Sequence, residues 1–230
     1  MAMDNPDRFS FIDALAASTA ALGVNLTTGQ QERMWRHYLL VIEANRRFNL
    51  TRVTSPVDAA VKHYADALTL LTTGWALPAA PLRVLDVGTG AGFPAVPLAI
   101  VCTAWEVTAI DGTGKKARFV EQVATDLALR NLSARHARAA ELARTGAALF
   151  DLVLLRAVTQ TASGIDEVHP LVSPGGSIVF FKTPVMATEE WDAGNQRAVT
   201  RGFSQPQSHD VPLSGSGEPL SRRLIRYIRG

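Results

Sequence analysis

The chain has 230 residues, 47% of them apolar, a formal net charge of +2 and a single cysteine. That length and composition suit one α/β domain with an extension, and they exclude global disorder and an internal disulfide. No stretch of membrane-spanning length is free of charge, and the N-terminus carries Asp4 and Asp7 without a secretory apolar core, so a soluble cytoplasmic protein is expected.

In chain order, residues 7–21 read as a helix with Phe11, Leu15 and Leu22 on one side. Thr27 or Thr28 caps a second helix that runs to about Arg47, with Met34, Trp35, Tyr38, Leu39 and Ile42 near helical spacing. Asn49-Leu50-Thr51 breaks it. Ser55-Pro56-Val57-Asp58 has the chemistry of a helix start, with Ser as cap and Pro in the first turn, and that third helix ends near Gly74. Pro78-Ala79-Ala80-Pro81 then separates a helical extension, residues 1–78, from residues 79–230, the two expected to pack as one unit.

From Arg83 the pattern alternates. Strands are predicted at 83–87, 106–110, 133–136, 150–155 and 177–182, and helices at 94–102, 114–129, 160–170 and 188–200. Two antiparallel strands at 203–213 and 221–229, joined by Ser214-Gly215-Ser216-Gly217, end the chain. The fold class expected is therefore α/β, Rossmann-like and doubly wound, mostly parallel, with an antiparallel C-terminal part and an N-terminal helical extension. Cys102, among Ala99, Ile100 and Val101, reads as a packing residue.

The richest stretch is Asp86-Val87-Gly88-Thr89-Gly90-Ala91-Gly92-Phe93-Pro94, at the end of the first predicted strand. Glycine lets backbone approach a ligand closely, and the junction aims unpaired helix N–H groups above the sheet. The dinucleotide fingerprint needs a glycine where Phe93 stands. An acid two residues before Gly-x-Gly-x-Gly looks like the first motif of S-adenosylmethionine-dependent methyltransferases, with Asp86 holding the loop or reaching the amino-acid end of the donor through water. Asp111 closes the second strand, 23 residues after Gly88, where a carboxylate can accept two ribose hydroxyls; the alternative is a helix cap. Arg138-Ala139-Ala140-Glu141 reads equally as an adenine-flanking loop or an ordinary helix start.

Arg156 ends the fourth strand, where it would recognise an anion or purine O6/N7, or else form a surface ion pair. Lys182 ends the fifth on the same rim, or merely marks a strand end. Asn/Asp-Pro-Pro-Tyr is absent, and one cysteine cannot supply a paired-cysteine nucleophile. Arginines cluster at 33–52 and 222–229; both groups could touch phosphate or could be solvated faces.

Taken in order, Phe48-Asn49-Leu50-Thr51, Lys62-His63-Tyr64-Ala65-Asp66, Asp86 to Pro94, Pro97 to Ile100, Asp111 with Gly114 to Phe119, Arg156-Ala157 and Lys182 resemble the bacterial small-subunit ribosomal RNA methyltransferase G family, also called glucose-inhibited division protein B. The resemblance covers roughly residues 20–229. It implies methyl transfer to N7 of a guanine in 16S rRNA, with S-adenosylmethionine as cofactor, 16S rRNA or the small ribosomal subunit particle as partner, no metal, no membrane and a monomer. It implies that Gly88, Phe93, Ala139, Ala140 and Arg156 line the cofactor site with Asp86, Gly90, Gly92 and Asp111. His63 and Asp66 would sit on the extension near the mouth, joining Arg156 and Lys182 on the substrate side. Ala67, Ala95, Gly112, Leu155 and Thr183 depart from the family's usual residues. A same-fold methyltransferase acting on tRNA, protein or a metabolite, and a non-catalytic RNA-binding module, are the alternatives.

Overall fold

Thr27 and Gln30 form a reciprocal capping box, in which the Gln30 N–H donates to the Thr27 hydroxyl (3.2 Å) and the Thr27 N–H to the Gln30 side chain (2.9 Å). The box opens α2 (Thr28–Asn45), which follows α1 (Pro6–Ala21). The computed structural model describes residues 6–77, 79–146, 148–156, 160–215 and 220–230. Phe11 of α1 packs its ring on Trp35, Tyr38 and Tyr64 at 5.2–5.4 Å between centroids, so the first helices close on an aromatic cluster.

Ser55 caps the next helical run through the Asp58 N–H (3.4 Å). The run is α3 (Pro56–Ala59), a π-helical segment (Ala60–Ala65), α4 (Asp66–Leu68) and a 3-10 turn (Thr69–Thr72). The sequence predicts one helix here. The π segment is a change of backbone winding with no residue signature, and segments of this kind concentrate at functional sites. It carries Lys62 and His63.

Seven strands form one sheet: β1 (Arg83–Val87), β2 (Glu106–Asp111), β3 (Leu132–His136), β4 (Phe150–Arg156), β5 (Val172–Lys182), β6 (Gln207–Leu213) and β7 (Leu220–Ile228). Their order is β3-β2-β1-β4-β5-β7-β6; β1 to β5 run parallel, while β7 is antiparallel to both β5 and β6. Both faces are covered, which is why β1 and β4 read as nearly continuous apolar runs. One face packs on α1, α2, α5 (Ala95–Val101) and α6 (Gly114–Asp126); the other on α7 (Ala139–Arg144), α8 (Thr161–Val168) and α9 (Thr188–Thr200). The winding direction reverses between β1 and β4, and there the carboxyl ends of the strands leave a crevice.

The fold class is the one expected. Some boundaries differ. Residues 139–144 form a helix, α7, entered through an Arg138 N–H to Glu141 bond of 2.9 Å. β5 starts at Val172 rather than 177, with a register irregularity opposite Phe150 and Leu152 that accommodates Pro174-Gly175-Gly176. β6 starts at Gln207 rather than 203, and Phe203 makes only an isolated bridge to Arg229. Ser216 and Gly217 of the expected turn lie outside the described residues, as does Ala157. No helix among the described residues is long and apolar enough to cross a membrane.

Candidate active site

The glycine loop leaves β1 and folds back over β2. The Gly88 and Thr89 N–H groups donate to the Ile110 carbonyl (2.8 and 3.0 Å), and the Gly90 N–H donates to Asp111 Oδ2 (3.0 Å). The Ala95 N–H at the start of α5 donates to Asp86 Oδ2 (3.3 Å). The expectation of unpaired N–H groups aimed upward is therefore corrected: the loop spends these donors internally and offers a ligand its bare backbone surface. At Gly90, with φ +60°, an added Cβ would find nothing nearer than 4.0 Å, so this face is open. At Gly92, with φ +93°, an added Cβ would sit 2.6 Å from Val96 Cγ2, so this glycine serves close packing on α5. Gly92→Ala is expected to cost about 1–3 kcal/mol of stability, readable by urea unfolding.

Asp111 takes the helix-cap role and keeps capacity for the other: Oδ1 accepts the Thr113 N–H (2.8 Å) just before α6, and Oδ2 accepts Gly90. It is nearly buried, yet each oxygen keeps a further lone pair for a hydroxyl donor. Asp86 is fully buried and holds the loop. Among the described residues, Asp86 Oδ1 and the Thr89 hydroxyl are buried without a hydrogen-bond partner of ordinary geometry. The Asp86 carboxylate beside an open glycine backbone, with a ribose-competent carboxylate on the next strand, fits a ligand with an ammonium at one end and a diol at the other. Ala139 is buried at the start of α7 and Ala140 is exposed beside it.

Phe93 is the hub joining this loop to the helical extension. His63 stacks on it (4.7 Å, 27°), Tyr64 and His37 contact its ring at 5.0 and 5.1 Å, and the Arg156 guanidinium lies 5.8 Å from its centroid. Arg156 also donates Nη2 to the Lys62 carbonyl (2.8 Å) and pairs through Nε with Asp66 (2.8 Å). Asp66 is bound from the other side by Arg222 of β7, at 2.5 and 3.0 Å. The structure thus corrects the expected position of Asp66: it is fully buried inside an Arg–Asp–Arg triad, not at the mouth, and reaches the site through Arg156. His63 lies on the π segment, with Nε2 against the Thr51 hydroxyl (2.8 Å). Lys182 ends β5 as expected but is ion-paired with Glu190 of α9 (2.7 Å). It is held toward α9 and lies over the Phe180 ring, 5.8 Å from its centroid.

His37 carries no signal in the sequence, where a lone histidine on an apolar helix face reads as core. It is fully buried, with Nε2 2.9 Å from the Ala91 carbonyl and Nδ1 3.0 Å from the Tyr64 hydroxyl. A carbonyl can only accept, so Nε2 carries the proton and Nδ1 accepts from Tyr64. The pair fastens α2 and the π segment to the glycine loop.

Burial lowers His37 to about 3, and burial with the nearby Arg156 charge lowers His63 to about 4. Both are neutral at physiological pH. Unfolded histidine titrates near 6.5, so acid protonates the unfolded chain first, and stability present above that pH is lost as pH falls toward these values. Asp86 acts in the opposite sense. Burial raises it from 3.8 to about 6, outweighing the Thr89 hydroxyl and the Ala95 N–H, so its contribution declines as pH rises across that interval. The two histidines outweigh the one carboxyl. Each pH step over which a histidine is charged in the unfolded chain but neutral in the fold costs about 1.4 kcal/mol. Thermal melts should therefore show net destabilisation of roughly several kcal/mol as the medium is acidified from the ordinary histidine range to the carboxylate range. A His37→Gln variant, which keeps a donor for Ala91, should show a shallower acid limb; equal limbs would contradict this assignment.

The rRNA small subunit methyltransferase G family model matches residues 30–213. The chain is 33% identical over 219 residues to the ribosomal RNA small subunit methyltransferase G of Leuconostoc citreum, covering 94% of this chain and 90% of that protein. It is 37% identical over 195 residues to the protein of that name from Solibacter usitatus, covering 84% and 88%. Its fold is similar to that of precorrin-6y C5,15-methyltransferase from Geobacter metallireducens (TM-score 0.53, 14% identity, 80% and 92% covered), a likeness of architecture alone. Glycine loop, second-strand acid and matched length agree: the chain belongs to the rRNA small subunit methyltransferase G family.

Proposed function

We propose that this chain transfers a methyl group from S-adenosylmethionine to N7 of a guanine in 16S rRNA, acting on the rRNA or the small-subunit particle in the cytoplasm. The observation that carries the reading is the pairing of the open Gly90 backbone with the Asp111 carboxylate across the ends of β1 and β2. S-adenosylmethionine, when bound, supplies an electrophilic methyl group. Asp111 would clasp its ribose, Gly88 to Gly92 would lie along it, Asp86 would act at its amino-acid end directly or through water, and Ala139 and Ala140 would flank its adenine.

Guanine N7 has a lone pair and no proton, so its methylation requires no general base. The site suits that chemistry: Asp66 is neutralised by two arginines, and His37 and His63 are committed to internal hydrogen bonds. The chain's contribution is placement, which can supply about 7–11 kcal/mol in favourable cases. Arg156 and Phe93 would form the wall against which the base is set, with His63 beside them, while Lys182, anchored to Glu190, would meet phosphate at the rim. Arg156→Ala is expected to lower kcat/KM roughly tenfold or more through misplacement. It should leave the chain folded, because Asp66 keeps Arg222.

The deciding experiment is transfer of labelled methyl to small-subunit particles, followed by mass spectrometry of the nucleosides. Label in 7-methylguanosine is expected. Label in another nucleoside, in protein or nowhere would overturn the reading.

A further inference from the structure

Between the last turns of α2 and the first turns of α6 lies a cleft of about 490 Å³, within the size range of small-ligand sites. Its floor is Phe48, Phe119 and Leu40, and its rim carries Arg47, Lys115 and Arg118. The Phe48 and Phe119 rings meet edge to face at 6.4 Å, and Lys115 Nζ stands over the Phe48 ring, 5.4 Å from its centroid. Asn45 fixes the segment that carries Phe48: its side-chain oxygen accepts the Leu50 and Thr51 N–H groups at 2.7 and 3.0 Å, and its amide donates to the Thr51 carbonyl at 3.0 Å. Phe48 is therefore held in place.

Charge is graded along the cleft. Among the described residues, Lys115 and Arg118 make no salt bridge, and Arg47 has only an exposed 3.5 Å contact with Glu43. Of the acids that line the cleft, Glu43 reaches Arg47, and Asp126 closes the far end of α6. Glu43 and Asp126 also border the adjoining hollow formed with Arg36 and Leu39. Along α6, Asp126 stands about 16 Å from Lys115. The basic, aromatic end begins four residues after Asp111, on the edge of the sheet where the glycine loop lies.

We propose that this end of the cleft seats one unstacked base of the substrate RNA on Phe48, with its flanking phosphates held by Arg47, Lys115 and Arg118. The base takes the place of the Lys115 ammonium over the ring, and the flexible lysine swings to the phosphate. An aromatic platform with cations at its rim is the physical requirement for a single-stranded segment; a duplex would use the cations and leave the ring idle. The inference rests on the rRNA reading above and adds to it a holding site apart from the reacting guanine.

The test uses the full chain with a fluorescein-labelled 15-nucleotide single-stranded RNA and a duplex of the same length, read by anisotropy. Phe48→Ala should weaken single-strand binding about tenfold and duplex binding less than twofold. Phe48→Trp should retain or strengthen it. The surface double variant Lys115→Gln/Arg118→Gln should lower the salt dependence of log K by about 1.4, or 0.7 for each lost phosphate contact. Calorimetry should give unchanged S-adenosylmethionine affinity for all three. On small-subunit particles, Phe48→Ala should raise the RNA KM about tenfold with kcat unchanged.

Unchanged single-strand affinity and salt slope would overturn the proposal, as would equal losses for duplex, displacement by polyglutamate as effective as by single-stranded RNA, or a wild type that binds neither RNA. If the wild type methylates particles normally while the variants match it, the cleft assignment fails and the enzymatic reading stands. If the variants lose RNA but the wild type transfers no methyl, the reverse holds.

Discussion

Asp66→Ala should cost about 3–5 kcal/mol of folding stability, seen as a lowered urea midpoint with an unchanged slope. The carboxylate is fully buried and is the shared partner of Arg156 and Arg222. Its removal leaves two cations that repel one another in a place where water reaches them poorly. Asp66→Asn keeps the volume and loses the charge, so it should behave nearly as badly. Combining Asp66→Ala with Arg222→Ala should recover part of the loss, because one uncompensated cation is removed along with the acid. A single-variant loss below about 1 kcal/mol would mean that the two arginines rehydrate, and the triad would then be ornamental.

Asp111→Ala should weaken S-adenosylmethionine binding by about a hundredfold or more, measured by calorimetry. Hydrogen bonds to a charged group are worth about 1.5–3 kcal/mol each, and two are at stake for a diol. The same substitution frees the Gly90 and Thr113 N–H groups, so the loop should also lose order. Asp111→Asn separates the effects. It preserves one acceptor and the side-chain size, so a variant with full affinity would remove Asp111 from the ribose and leave it only as the tie between loop and helix.

The sheet is legible in the sequence because parallel strands covered on both faces are mostly apolar: Val84 to Val87 and Phe150 to Leu155, each broken by one aspartate, announce themselves, and the glycines after Val87 mark the switch point. The helix caps at Thr27 and Ser55 are legible because their chemistry is local. What does not show is anything decided by residues far apart in sequence. Asp66 meets Arg222 across 156 positions, so a motif that reads as acid near the mouth is in fact an interior charge. His37 fastens Ala91 across 54 positions, and nothing around it in sequence distinguishes it from its apolar neighbours. The π winding that sets the phase of His63 relative to Asp66 is likewise a tertiary outcome. Lys182 and Arg156 look alike as cations closing apolar strands, yet one is drawn to α9 and the other into the Phe93 group, a division made by which acid lies within reach.

Arg222 belongs to β7, which follows β6 in sequence but sits in the sheet between β5 and β6. Without β7 the Asp66 charge lacks its second arginine, and the wall beside the glycine loop lacks its brace. A chain truncated before β7 should therefore keep the glycines and acids of the crevice while leaving Arg156 and Asp66 without their brace.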